Sequence, residues 1–164
     1  MATALKALTA KEVCALVTRL SGRPCSERKL RHLLVACALG TELPARRHGQ
    51  TRLYGVLDVA LLRLAVALEG EGISPWVTRV VLTYLRDDLV RAWRSASPLA
   101  VAVRGVQGTL EPVPRGRPRW AVGWVPLREI WRGLEPAVEQ VAAARETVWM
   151  WKPVSARDVP RTTA

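Results

Sequence analysis

Two short runs of helical periodicity, split by the breaker Ser21-Gly22-Arg23-Pro24, constrain this chain more than any other feature. Val13, Leu16, Val17 and Leu20 recur at helical spacing, so Lys11 to Leu20 reads as an amphipathic helix. Thr9-Ala10-Lys11-Glu12 ahead of it is a capping-box pattern, in which Thr9 and Glu12 each satisfy a backbone N–H that the first turn leaves orphaned. Beyond the breaker, Ser26 suits an N-cap and Glu27 the first turn of a second helix. Leu30, Leu33, Leu34 and Cys37 form its inward stripe, leaving Arg28, Arg31, His32 and Val35 on the opposite face. Helices this short are marginal alone in water, so the pair must bury its stripes together and against further elements.

Two short helices joined by a Gly-containing turn, the second with outward arginines, are the parts a helix-turn-helix needs. In that motif the second helix lies in the major groove of DNA. The charge distribution points the same way. The formal net charge is +11, and +6 of it falls in residues 19–52. Residues 53–97 are balanced. So dense a basic cluster suits a polyanion, because each neutralised phosphate releases counterions. Charge alone does not separate DNA from RNA or an anionic membrane.

Leu43 to Tyr54 has strand-like ends around a basic tip containing Gly49, which reads as a β-wing. Arg46, Arg47 and Arg52 are placed there to meet phosphates, contacts that position a protein without reading sequence. Leu57 to Leu68 is the next helix, its inward side Leu57, Leu61, Leu64, Ala65 and Leu68, ended by Glu69-Gly70-Glu71-Gly72. Ser74-Pro75 opens another that runs towards Trp93, with serine as N-cap and proline at the first helical position. Ser95 to Pro98 closes it.

The order of elements and the residues in them resemble the DNA-binding domain of the MerR transcription-regulator family. Lys29-Leu30-Arg31-His32 takes the place of that family's Thr-Leu-Arg-Tyr core. Pro44 and Arg46 match its Pro-x-Arg wing, and Arg52-Leu53-Tyr54 its Arg-x-Tyr. Asp58-Val59 matches the helix opening and Gly72-Ile73-Ser74 the later turn. The match covers roughly residues 8 to 88. The resemblance implies that Arg28 and Arg31 face the major groove and that Arg46, Arg52 and Tyr54 hold the DNA backbone. His32 joins the base-reading set on the same helix, and Ser26, Lys29 and Arg47 the backbone set. His32 and Leu33 replace the family's paired tyrosines, and the glycine before the wing is displaced to Gly40. Pro98 cuts short the helix that in the family pairs into a coiled-coil dimer.

In the remainder, Leu99–Arg104 and Arg119–Val125 are rich in β-formers and flank a polar stretch, Glu111 to Pro118. They read as a hairpin with a mobile basic tip. Such a hairpin must pack on a helix or on another copy. A helix from Leu127 to about Val148 would cover it, kinked or split by Gly133 and Pro136. Trp120, Trp124, Trp131, Trp149 and Trp151 are expected to fill the core, with an effector pocket or protein interface as the other use.

The fold class expected is mainly α with small β: a MerR-like winged helix-turn-helix followed by a C-terminal β-hairpin plus helix. Its divisions are residues 1–97 as the DNA-binding domain, 98–152 as a dimerisation or effector region, and 153–164 as a disordered tail. Cys14, Cys25 and Cys37 lack CxxC spacing and a histidine cluster, so no metal and no cofactor is expected. No Gly-rich phosphate loop, GxSxG or comparable constellation is present, so an enzyme is not expected. No signal-peptide pattern or bilayer-length apolar run appears, which leaves a cytoplasmic protein as the expectation, without a membrane partner. The expected partners are double-stranded DNA and a second copy in a homodimer. Two alternatives stand beside a regulator: an excisionase-like architectural or recombination factor, and a protein-interaction adaptor built on the same domain.

Overall fold

The computed structural model describes residues 7–37, 47–48 and 51–150, with side chains at 7–33 and 53–145. Within these bounds the chain is mainly helical with two small antiparallel sheets. Arg46, the Gly49-Gln50 tip and the tail expected at 153–164 lie outside the described residues.

Strand β1 (Leu8–Thr9) leads into helix α1 (Ala10–Ser21). Thr9 Oγ1 accepts from the Glu12 N–H at 3.4 Å and Glu12 Oε2 from the Thr9 N–H at 2.8 Å, the reciprocal cap the sequence pattern predicts. Helix α2 (Glu27–Cys37) follows, and then strands β2 (Arg47–His48) and β3 (Thr51–Tyr54). Arg47 pairs with Arg52 and His48 with Thr51, so a hairpin forms where the wing is expected. Strand β1, which sequence pattern does not reveal, completes that sheet by pairing Leu8 with Tyr54 and Thr9 with Leu53.

Helix α3 (Val56–Gly70) opens with the Gly55 N–H donating to Asp58 Oδ2 at 2.9 Å. The sequence reading gives this helix one apolar face; the structure buries it nearly all round. Val59, Ala60, Leu61, Leu62, Leu64, Ala65, Val66 and Leu68 are all buried. The reason is tertiary. Helix α4 (Pro75–Ser95), strand β6 (Gly123–Pro126), helix α5 (Leu127–Trp131) and helix α6 (Leu134–Met150) all pack on α3, as does α1. One continuous core runs from Leu8 to Ala142, across the boundary expected at residue 97.

The second sheet corrects the expected hairpin. Strand β4 (Leu99–Arg104) pairs with β5 (Gln107–Pro112) through a two-residue turn, Gly105-Val106, and β6 lies on its other side. Gly105 has φ +59°, the left-handed conformation that a primed hairpin turn asks of its first residue. That local turn wins over the longer connection to Arg119–Val125. Only the end of that stretch becomes a strand, giving the order β5-β4-β6.

Nor does the basic 113–122 connection hang free. Arg117 folds back on it, Nη2 donating to Val122 O at 2.7 Å and Ala121 O at 3.2 Å, and Nη1 reaches Glu71 Oε2 at 3.4 Å. Gly133, at φ +68°, separates α5 from α6, the split that its place in the pattern suggests.

The tryptophans are not the core. Trp93, Trp124 and Trp131 are half-buried, and Trp76 and Trp120 are exposed. Leucine, valine and alanine fill the interior instead. Trp93 and Trp131 meet edge to face at 5.3 Å, joining α4 to α5. The side chains of Trp149 and Trp151 lie outside the described residues.

Candidate nucleic-acid interface

The segment expected from sequence to meet DNA is held by its own turn. Gly22, at φ +67°, ends α1 with its N–H on Thr18 O at 3.0 Å. The Cys25 N–H then donates to Thr18 Oγ1 at 3.0 Å, which fastens the connection to the last turn of α1. Ser26 caps α2, its Oγ accepting from the Lys29 N–H at 3.2 Å. This local role, read from sequence, sets the angle at which α2 leaves the turn.

Helix α2 is anchored from within by Leu30 and Leu33, which are 0% and 2% exposed. They join a core that also holds Val13, Leu16 and Val17 of α1. Truncating either leucine to alanine carries the cavity cost of about 2–5 kcal/mol. The inner faces of α1 and α2 therefore form a rigid mount. The outer side of α2 carries Arg28, Arg31 and His32, all exposed. Arg31 and His32 stand one helical turn from Arg28, so the three share one face. The Arg31 Nε lies along its own helix, donating to Glu27 O at 3.4 Å.

Two other cations of the basic stretch lie against the end of α3. Lys29 is ion-paired with Glu69 near the end of α3, and both are half-buried. The Arg23 guanidinium lies over Gly70, where a Cβ would come within 2.7 Å of its Cζ. Both charges sit at the C-terminal end of α3, the negative pole of that helix. Lys29, expected on the DNA backbone, thus has a carboxylate partner inside the fold.

Tyr54 is also placed at odds with the expectation. It is 4% exposed, in the core beside β1, and offers little surface to a phosphate backbone. The strand period explains the outcome, because the residue that closes β3 packs inward. Arg47 and Arg52 stand directly opposite in the β2–β3 register.

Burial pushes the Cys14 thiol up to about 12, with neighbouring Cys25 adding to the rise. Burial also raises the Cys25 thiol, against the opposing hydrogen bond from Cys14 and the charge of Lys29. Both therefore stay protonated at neutral pH, a poor state for metal ligation. No group of three or more His, Cys, Asp or Glu among the described residues is placed to hold a metal ion. No helix there is long and apolar enough to cross a membrane.

Sequence reasoning did not find the contacts that lock the mount from the C-terminal half. Arg145 of α6 donates to Glu12 Oε2 at 3.0 Å and to Ala7 O at 2.8 Å, bracing the cap of α1. Arg63 of α3 donates to Ile130 O at 2.8 Å and Arg132 O at 3.3 Å, closing the end of α5. A lone Arg in an apolar helix is the one local hint of such a role. Comparison with protein-family models, with curated proteins and with solved structures found no match.

Proposed function

We propose that the protein is a sequence-specific DNA-binding transcriptional regulator, with α2 as its recognition helix and the β2–β3 hairpin as its wing. One observation carries the reading: Arg28, Arg31 and His32 stand exposed on one face of α2 while the opposite face is locked into the core. A base-reading helix needs that combination, because guanine is read by an arginine held in fixed register. In this reading Arg28 and Arg31 address base edges, and the wing arginines Arg46, Arg47 and Arg52 address phosphates. Lys29 and Tyr54 drop out of the contact set, one ion-paired and the other buried. The MerR-like identity rests on the sequence motifs.

Selection of binding sites from random duplex DNA tests the reading, followed by a salt titration of the selected site. A defined motif with steep salt dependence is the expected outcome. Absence of binding at low salt would remove DNA from the account.

A second reading keeps the same basic helix but makes the protein an architectural factor that bends DNA. Salt-dependent binding without a motif, together with curvature of the bound duplex, would favour it.

A further inference from the structure

The 113–122 connection holds Arg115, Arg117 and Arg119 and no acidic residue. It is a fixed loop rather than a slack one. Pro114 and Pro118 restrict its backbone. Its ends are tied to the second sheet, the Val113 N–H on Pro98 O at 2.8 Å and the Val122 N–H on Val103 O at 2.8 Å. Between them the Gly116 N–H donates to Val113 O at 2.9 Å and the Ala121 N–H to Pro118 O at 3.0 Å. Arg117 clamps the whole through Ala121 O and Val122 O. Arg115 and Arg119 take no part in that structure. Both are exposed, and neither makes an ion pair or a side-chain hydrogen bond among the described residues.

The loop also stands at the corner where α2 meets the end of α3. From one side, Lys29 of α2 pairs with Glu69, and Arg23 of the turn before α2 lies over Gly70. From the other side, Arg117 reaches Glu71 at 3.4 Å. Gly123, just past the loop, presses on Ile73, where a Cβ would lie 2.9 Å from Ile73 Cγ1. Two basic segments far apart in sequence thus converge on residues 69–73. The carboxylates there, Glu69 and Glu71, are each matched by one cation, Lys29 and Arg117. Arg23, Arg115 and Arg119 are left in excess, so the corner is net positive.

From this placement we infer that the 113–122 loop is a further DNA-backbone contact, Arg115 and Arg119 taking phosphates that flank the stretch addressed by α2. The inference rests on α2 being the recognition helix and gives the C-terminal half a share in the same surface. That half then adds affinity without reading sequence. The spacing suits the task. The four-residue step from Arg115 to Arg119 spans at most about 14 Å. Successive phosphates of one strand rise ~3.4 Å along the duplex, so both arginines can reach the same strand. Because Arg117 and the prolines already hold the loop, binding costs it little further ordering.

Titration of the full chain with duplexes of two lengths across a salt series is the test. One duplex carries the selected motif alone; the other adds a helical turn, about 10 base pairs, at each end. The wild type is expected to bind the longer duplex at least about fivefold tighter at physiological salt. Arg115→Ala with Arg119→Ala should lose that gain and bind the trimmed motif as the parent does. On the longer duplex its slope of log K against log salt should fall by about 2, one for each lost phosphate contact. Arg115→Lys with Arg119→Lys should keep the gain, since a lysine meets a phosphate as a point charge. Both arginines are exposed and unpartnered, so the alanine variant should unfold in urea at the parent's midpoint. A wild type that gains nothing from added flanks overturns the inference, as does an alanine variant that keeps both the gain and the slope. In either case a selective loss with Arg31→Ala would leave the role of α2 standing. A wild type that binds no duplex at low salt removes that role, and the loop contact falls with it.

Discussion

Replacing Gly108 by alanine probes the tightest approach between the two halves of the chain. The added methyl would sit 2.4 Å from Val81 Cγ1, far inside the 3.5–4.0 Å at which carbon atoms attract. Val81 is 0% exposed and Leu85 7%, so neither side chain can swing into solvent. A helical valine also has essentially one χ1 rotamer available. Strand β5 must therefore lift from α4, an overpacking cost of about 1–3 kcal/mol. Against it stands the lower entropy of the unfolded chain when glycine is lost, about 0.4–1 kcal/mol. The net expectation is a loss of roughly 1–2 kcal/mol, which for a domain of this length lowers Tm by about 2–8 °C. Urea unfolding of the single variants and of the Gly108→Ala/Val81→Ala double variant measures it. In the double variant the methyl finds the space that Val81 vacates, so the two losses should sum to less than their separate total. A Gly108→Ala protein as stable as the parent, or strict additivity in the cycle, would refute the close packing of β5 on α4.

Arg31→Ala should weaken binding to a selected DNA site by roughly 1–3 kcal/mol while leaving scrambled DNA nearly unchanged, as read by competition titration. Arg52→Ala should weaken all duplexes alike and lower the slope of log K against log salt by about 1. Arg63→Ala removes charge-assisted hydrogen bonds to Ile130 O and Arg132 O and should lower unfolding stability by about 1.5–3 kcal/mol in chemical denaturation. Cys14 gives a pH dependence of defined sign. Its folded-state thiol ionises near 12 against an ordinary 9.0, so the native state holds that proton longer than the unfolded chain. The resulting stability is complete below pH 9 and is lost as pH rises towards 12. Cys14→Ala should flatten the alkaline decline; an identical pH profile in the variant would refute the buried-thiol assignment.

The sequence disclosed what depends on neighbours a few residues away. Thr9 and Glu12 announce the cap of α1, Ser26 that of α2, and Gly133 the break before α6, because each acts within one helical turn. The exposed side of α2 follows from the same periodicity, and Arg28, Arg31 and His32 stand where it puts them. What escaped was set by distant partners. Lys29 meets Glu69 across 40 residues and Arg145 meets Glu12 across 133, separations that leave no trace in local pattern. Tyr54 has the right motif for a surface role, yet β1 and the core claim it. The partner of β4 turned on Gly105, a cue as local as the caps, but set against a longer and more apolar competitor in 119–125.

The near-complete burial of α3 has a consequence for the order of synthesis. Much of the cover of α3 comes from α4, α5, β6 and α6, elements that the ribosome makes later, the last of which reaches the core at Ala142. At roughly 5–20 residues per second, the 45 residues from 98 to 142 take about 2–9 s to appear. For that interval the half bearing the basic helix has its central helix only partly sheltered. Completion of the C-terminal half is then the event that commits α1 and α2 to their final mount, and a nascent chain stalled before it would present apolar surface to chaperones.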